Sequence, residues 1–153
     1  MVFRGFSPLS SPSSPALTWT TDARSEKCRD VAGNGNAEIV WWFPGTKEQY
    51  RFSGSVDVIT SAEEDEERVA ERARMWGKMR EEAQVTFGQD RPGAAWVEGT
   101  VTKPLDPDGV VSENFVVMSL DARSVDYLCL EDSVRRTYER KETGEWESRR
   151  VNP

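Results

Sequence analysis

One stretch of this sequence constrains the fold more than any other, because two apolar runs flank a short turn. Residues 37–43 read AEIVWWF and are almost continuously apolar, which is typical of a strand buried on both faces. The segment PGTKE follows, and Pro and Gly together favour a turn. Over residues 50–59 apolar and polar side chains alternate, as on a strand with one face in a core. The pattern predicts an antiparallel β-hairpin.

Shorter runs of β-branched, aromatic and alternating residues predict further strands over 17–21, 115–120, 125–130, 135–140 and 146–151. The sequence DARS separates the second and third of these runs, and ETGE separates the last two. Residues 2–6 form a short apolar segment ahead of a flexible loop over 7–15, which is rich in Ser and Pro. The loop over 97–111 is of low predictability.

Two helices are predicted. Asp22 is a candidate N-cap for a short helix with the sequence ARSEKCRDVA, which GNGN ends. A long helix over 61–87 opens with the acidic run EEDEE, which suits the positive end of a helix dipole. Its apolar residues recur at spacings of three and four and form one stripe: Val69, Ala73, Trp76, Met79, Ala83 and Phe87. By base rates, most of the six tryptophans are expected in the core.

These elements predict a mainly β fold, a small β-barrel with flanking helices. It would have about six antiparallel strands, one short helix and one long helix. At 153 residues, of which 37% are hydrophobic, the chain is expected to form a single domain over 1–153.

Composition excludes several classes of function. A net charge of −7 argues against general binding of nucleic acid, which requires a basic face. The chain has no histidine, so His-based catalytic triads and His-ligated metal sites are excluded. Cys28 and Cys129 fit neither a disulfide framework nor a metal site, and no apolar run is long enough to span a membrane. We therefore expect a cytoplasmic protein with no metal site, although the Ser/Pro-rich N-terminus also has the composition of a targeting peptide.

The stretch LTWTTDARSEK, residues 17–27, carries the most suggestive chemistry. An apolar run gives way to hydroxyls and cations at the predicted junction of a strand with a helix. Backbone N–H groups at a helix N-terminus stabilise an anion, and Thr21, Arg24, Ser25 and Lys27 could add donors and positive charge. An ordinary N-capped surface turn explains the same residues and is the commoner case. Both interpretations stay open on these residues alone.

Two other features are weaker candidates. The segment RRTYERK, residues 135–141, could be a binding strand or a solvated edge strand whose charges prevent aggregation. Gln49 is a lone amide at the start of a strand. Nothing in the sequence pairs a nucleophile with a base or two carboxylates at catalytic spacing, so no catalytic residue is assigned. An enzyme of this composition would rely on the chemistry of a cofactor.

Taken in order, several segments resemble the pyridoxamine 5′-phosphate oxidase-like FMN-binding split-barrel family, in its oxidase-like FMN-binding domain branch. They are VFRGF, LTWTTDARSEK, EIVWWFPGTKEQYRFSG, the W…F…PG end of the long helix, ENFVVMSLDARSVDYLCL, RRTYER and WESRRVNP. The resemblance covers most of the chain apart from its two loops. It implies an FMN-binding split barrel and a homodimer with FMN at the subunit interface.

The same resemblance assigns residues to the cofactor. It places Gln49 near the isoalloxazine ring, Arg135 in contact with the flavin, and Arg4 near flavin and substrate. Arg24 would replace a cation that Glu26 does not provide. The residues implied to hold the FMN phosphate and ribityl chain are Thr20, Thr21, Arg24, Ser25 and Lys27.

The chain departs from the family pattern in two ways. It starts in the middle of the strand that contains VFRGF, so we expect an N-terminally shortened member that lacks the family's upstream strand or strands. The Arg-x-His pair that holds the vitamin B6 substrate is absent, and Leu128 stands where a flavin-stacking Trp is typical. The resemblance therefore implies an FMN-binding oxidoreductase of unknown substrate. The alternative is a non-catalytic barrel that binds flavin or another phosphorylated ligand, or a truncated inactive remnant.

Overall fold

A computed structural model describes residues 2–10, 14–98 and 110–153. Their strands form one curled antiparallel sheet, a half-barrel, and the predicted mainly β architecture is confirmed. Seven strands are present, rather than about six: β1 (Phe3–Phe6), β2 (Leu17–Asp22), β3 (Asn36–Phe43), β4 (Glu48–Ile59), β5 (Phe115–Cys129), β6 (Val134–Arg140) and β7 (Trp146–Val151). The strand order is β1-β2-β5-β4-β3, with β6 between β5 and β7.

The predicted hairpin is β3 and β4, which pair from Asn36–Ser55 to Phe43–Glu48. The expectation that this first strand is buried on both faces is wrong. β3 pairs only with β4 and ends the sheet, so Val40 and Trp42 on one face stay 52% and 44% exposed. The tryptophans are likewise not mostly core, since only Trp19 and Trp76 are fully buried among the described residues.

The two strands predicted over 115–120 and 125–130 are one continuous strand, β5. A bulge lets it continue through DARS, because Ser53 pairs with Ser124 while Gly54 pairs with Ala122. Gly54 makes the bulge possible. A Cβ atom there would lie 2.0 Å from the backbone oxygen of Asp121, so only glycine fits this close approach.

The predicted long helix is broken into three pieces: α2 (Glu66–Gly77), α3 (Glu81–Val85) and a 3-10 turn (Thr86–Gly88). Helix α2 ends at Gly77, a poor helix former, and the side chain of Gln84 donates to the carbonyl of Trp76 at 2.8 Å. The predicted stripe is also wrong at its start, because Val69 is 44% exposed.

Polar residues take the inner face of α2 instead. Glu71 is buried against Arg74, and Arg72 donates to the carbonyl oxygens of Phe115 and Ser112 at 3.0 and 2.5 Å. Desolvation lowers the pKa of the Arg72 guanidinium. Because backbone carbonyls satisfy this cation, it can stand where a hydropathy pattern predicts an apolar side chain.

Each face of the sheet carries a core. On one face, α2 and the 3-10 turn pack on Ile59, Phe115 and Val117. On the opposite, inner face, Leu17, Trp19, Val116, Met118 and Leu120 pack together with side chains of β3, β4 and the short helix α1 (Glu26–Gly33). The two end strands meet across this inner core through Phe3 and Trp41, whose ring centroids are 4.6 Å apart.

Parts of the two predicted loops, residues 11–13 and 99–109, lie outside the described residues. The described ends of the Ser/Pro loop are held by hydrogen bonds, with Ser7 N donating to Ala16 O at 2.9 Å. Within the described ranges, no helix has the length and apolar character that a bilayer span requires.

Candidate functional site

The stretch 17–27 does form a strand, a tight turn and a helix. β2 ends at Asp22, and α1 begins at Glu26 with Ser25 as its N-cap. The prediction of Asp22 as the cap is therefore wrong. Asp22 accepts instead from the backbone N of Arg24 at 2.8 Å, while the Ser25 hydroxyl makes no capping hydrogen bond. The Ser25 hydroxyl donates to Cys28 Sγ at 3.5 Å, and because sulfur is a weak acceptor an anion at the helix N-terminus would be the stronger partner.

Thr21 and Ser25 are brought together across this turn. Their hydroxyl oxygens are 3.4 Å apart, and both side chains are buried. Thr20, on the other face of β2, is half-buried. Of the three hydroxyls that the resemblance assigns to the phosphate, Thr21 and Ser25 thus meet at one turn, whereas Thr20 lies on the opposite face of β2.

Arg24 is not free to bind a ligand with its whole guanidinium. Its Nε and Nη2 donate to the two carboxylate oxygens of Asp22 at 3.0 and 2.7 Å. Nη1 donates to the carbonyl of Gln89 at 3.0 Å, and Nη2 also reaches that of Phe87 at 3.4 Å. The hydrogen bonds to Asp22 raise the pKa of Arg24. The residue ties the turn to the segment after α3, a role that the sequence could not reveal.

Lys27 differs from Arg24. It lies exposed in the first turn of α1, beside Glu26, and its ammonium group forms no ion pair or hydrogen bond within the described ranges. Of the two cations in the turn, Lys27 is the one whose charge is not neutralised by a carboxylate.

The other two predicted ligands lie together on a different part of the sheet. Gln49 pairs with Leu128, and Leu128 pairs with Arg135, so the three residues form one row across β4, β5 and β6. Arg135 is held by Asp126, to which it donates at 3.0 and 2.7 Å, and this interaction lowers the pKa of the Asp126 carboxyl. Sequence reasoning missed Asp126 because only the strand register brings it beside Arg135.

The two groups of predicted ligands lie at opposite ends of β5. Thr20 pairs with Val117, whereas Gln49 and Arg135 both pair with Leu128, eleven positions further along β5 (128 − 117). At about 3.3 Å per residue this is a path of about 36 Å measured along the curled strand. Arg4 is exposed on β1 beside β2 and so belongs to the Thr20 end. Within one chain, the two groups are therefore separated along the length of β5.

No group of three or more His, Cys, Asp or Glu side chains in the described ranges could hold a metal ion. The donors in the two groups of predicted ligands are hydroxyls, an amide, an ammonium and guanidinium groups. Such donors suit a phosphate and the polar edge of a heterocycle better than a cation.

Two sequence comparisons both relate this chain to pyridoxamine 5′-phosphate oxidases. Residues 1–60 match the model of the family described as "Pyridoxamine 5′-phosphate oxidase, FMN-binding domain". The whole chain is 27% identical, over 159 aligned residues and 78% of the relative's length, to pyridoxine/pyridoxamine 5′-phosphate oxidase 2 of Arabidopsis thaliana.

Two solved structures also resemble this chain. A pyridoxamine 5′-phosphate oxidase-related, FMN-binding protein of Nostoc punctiforme is 32% identical, with a TM-score of 0.89 over 99% of this chain and 78% of that one. PhzG of Burkholderia lata, solved with tetrahydrophenazine-1-carboxylic acid, has a TM-score of 0.71 over 99% of this chain and 72% of its own. At 16% identity, the likeness to PhzG extends to the fold alone.

Proposed function

Because this chain belongs to the family of pyridoxamine 5′-phosphate oxidase-related FMN-binding proteins and its cofactor is FMN, we propose that it is an FMN-dependent oxidoreductase that works as a homodimer. Each flavin would be held by residues of both copies. When bound, FMN supplies hydride transfer, which no side chain of this protein provides. The Arg-x-His pair for a vitamin B6 phosphate is absent from the sequence, so the proposal does not name that substrate.

The residues at the Thr20 end of β5 fit the phosphate of FMN. Lys27 offers an uncompensated positive charge, and the hydroxyls of Thr21 and Ser25 offer hydrogen bonds near the N-terminus of α1. Thr20 would add a hydroxyl from the opposite face of β2. Arg24 has most of its donors engaged, so we assign it a smaller part in binding and a larger part in shaping the turn. Arg4, exposed on β1 beside Thr18 and Trp19 of β2, would contribute a second cation.

The residues at the other end fit the flavin ring. The Gln49 amide can both donate and accept, as the alternating carbonyl and N–H groups of an isoalloxazine require. Arg135, oriented by Asp126, can donate to a ring oxygen or nitrogen. A guanidinium that is already held in place loses less conformational entropy when it binds.

The observation that carries the homodimer is the separation of these two groups along β5. A two-fold symmetric pair could place the phosphate end of one copy against the ring end of the other, which would create two equivalent sites. A site built in this way is incomplete in a single chain. The two free cysteines also favour a reducing compartment such as the cytoplasm.

Mixing two defective variants tests this arrangement. Lys27→Ala with Ser25→Ala disables the phosphate end, and Gln49→Ala with Arg135→Gln disables the ring end. Each variant alone is expected to bind little FMN. After co-expression or subunit exchange, half of the dimers are mixed and each contains one intact site, so about a quarter of all sites should bind FMN.

No recovery of binding in a verified mixed dimer, while the wild type binds FMN, would show that each site is built within one copy. Activity needs a separate measurement, namely stopped-flow reduction of the bound flavin by NADPH, NADH and pyridoxamine 5′-phosphate. Reduction by any of these donors supports an oxidoreductase. FMN that is bound tightly and never reduced would instead identify a non-catalytic flavin-binding barrel.

A further inference from the structure

The row that contains Gln49 and Arg135 extends further in both directions. Trp42 on β3 pairs with Gln49, and Val151 on β7 pairs with Arg135. The full row across five strands is Trp42, Gln49, Leu128, Arg135 and Val151. Paired residues of neighbouring strands point to the same face, so the Cβ atoms of Trp42 and Gln49 lie about 5 Å apart on one face of the sheet.

Trp42 is the one aromatic residue of this row. The side chains of Leu128 and Val151 are aliphatic, and an aliphatic side chain offers a flat ring no π-face to stack on. The neighbouring aromatics Trp41 and Phe43 point to the inner face of the sheet, where their rings are stacked at 5.2 Å. Of these three aromatic residues of β3, therefore, only Trp42 presents its ring on the side where Gln49 and Arg135 lie.

The Trp42 indole is also exposed, so a ligand can reach it. Trp42 is 44% exposed and forms no ring contact with another aromatic side chain of the described residues. The helical segments pack on the same face of the sheet only at its other end, over Phe115 and Val117. An exposed tryptophan on an uncovered face gains by being buried against a flat apolar partner, and a flavin ring is such a partner.

We propose that Trp42 forms the aromatic wall of the flavin-ring site, stacking on the isoalloxazine that Gln49 and Arg135 bind at its polar edge. This inference rests on the proposed function and adds a residue to it. Trp42 supplies the stacking surface that Leu128 cannot, and it does so from the edge strand rather than from the centre of the row.

The test compares substitutions of Trp42 with the same change on the opposite face. Trp42→Leu should weaken FMN binding about tenfold, because an aromatic stacking interaction and part of the apolar contact are lost. Trp42→Phe keeps a ring and should stay within about threefold of the wild type. Trp146→Leu is the matched control, since Trp146 is half-buried among the aromatic side chains of the inner face, beside Tyr127 and Tyr138, and its loss should leave FMN affinity unchanged.

Flavin fluorescence gives a second readout that does not depend on activity. A stacked indole quenches an excited flavin, so bound FMN should be dim in the wild type and in Trp146→Leu, and bright in Trp42→Leu. Wild-type protein that binds no FMN would defeat the proposed function itself. Wild-type binding with unchanged affinity and quenching in Trp42→Leu would overturn this inference alone. So would a Trp42→Leu protein whose dimer is weakened while its flavin binding is intact, because Trp42 would then be a contact between copies.

Discussion

Arg24 and Asp22 form a bidentate ion pair within one turn, with Nε–Oδ1 and Nη2–Oδ2 distances of 3.0 and 2.7 Å. The Asp22 side chain is 10% exposed, so its carboxylate depends on this arginine for the hydrogen bonds that water would otherwise supply. The pair makes the turn a rigid unit, to which Lys27 and the hydroxyls of Thr21 and Ser25 are attached.

The first prediction concerns the contribution of Arg24 to the stability of this turn. Arg24→Ala leaves the Asp22 carboxylate nearly buried without its partner, so the free energy of unfolding should fall by about 2 kcal/mol. Arg29→Ala is the control, because Arg29 and Glu26 are highly exposed and 3.8 Å apart, and its effect should be close to zero. Urea unfolding followed by tryptophan fluorescence measures both. Equal stability of the two variants would contradict the structural role of Arg24.

The second prediction concerns the Thr18 hydroxyl, which is buried without a hydrogen bond to the described residues. Thr18 is 2% exposed, and its Oγ1 has no hydrogen-bond partner among the described residues. Valine has nearly the same shape without the polar group, so Thr18→Val should stabilise the protein by about 1 kcal/mol.

Thr21→Val provides the comparison, since Thr21 Oγ1 is within 3.4 Å of Ser25 Oγ and would lose that contact. This second variant should be less stable than the wild type. If Thr18→Val also lowers the melting temperature, its hydroxyl has a partner that this structure does not show.

The third prediction tests the bulge in β5. Gly54→Ala would place a Cβ atom 2.0 Å from the Asp121 backbone oxygen, and neither strand can move without breaking the β4–β5 ladder. A loss of more than about 4 kcal/mol, or failure to fold, is expected. Gly35→Ala should be tolerated, because no atom lies within 4 Å of the position of its Cβ. Thermal unfolding of the pair checks the contrast, and a stable Gly54→Ala protein would show that the strands pair differently.

The fourth prediction is a dependence on pH. Arg140 donates to both carboxylate oxygens of Asp121 at 2.6 Å, and these hydrogen bonds hold the pKa of Asp121 below its ordinary value of 3.8. A carboxyl with a lowered folded-state pKa stabilises the protein above pH 3.8, and this contribution is lost as the pH falls through the lower folded value. Because the Asp121 side chain is 45% exposed, its contribution should be no more than about 1 kcal/mol.

Urea unfolding of wild type and Asp121→Asn at pH 7 and at pH 2.5 measures this effect. The variant should be the less stable protein at pH 7, and the difference should shrink at pH 2.5. Glu147→Gln is a suitable control, because its partner Lys141 and Glu147 itself are more than half exposed. A constant difference between wild type and Asp121→Asn at both pH values would count against the ion pair.

How far the sequence predicts the structure depends on whether a feature is local. The β3–β4 hairpin and the order of strand, turn and helix after Leu17 follow from patterns within about twenty residues and were predicted correctly, although α1 begins at Glu26 and not directly after Asp22. The exposure of Val40 could not be foreseen, because an apolar strand looks the same at the centre and at the edge of a sheet. The buried face of α2 was missed because Arg72 is satisfied by carbonyls from distant parts of the chain.

The candidate site likewise has one part that is local in sequence and one part that depends on strand register. Thr21, Ser25 and Lys27 are neighbours in sequence, so their common location was predictable. The row that joins Trp42, Gln49 and Arg135 depends on the register of three strand pairs, which no local pattern specifies. The resemblance to a family supplied Gln49 and Arg135, whereas only the register supplied Trp42.

The bulge at Arg123 has a consequence for which side of the sheet each residue of β5 reaches. Before it, the even-numbered Val116, Met118 and Leu120 face the inner core, and after it the odd-numbered Val125 and Tyr127 do so. Because Arg123 is an extra residue in β5, the face that the even-numbered residues occupy changes at the bulge. If Arg123 paired with Ser53 instead of forming the bulge, each later residue of β5 would move one position along β4, and Tyr127, instead of Leu128, would pair with Gln49. One residue near the middle of β5 therefore decides which chemistry the far end of the strand can offer.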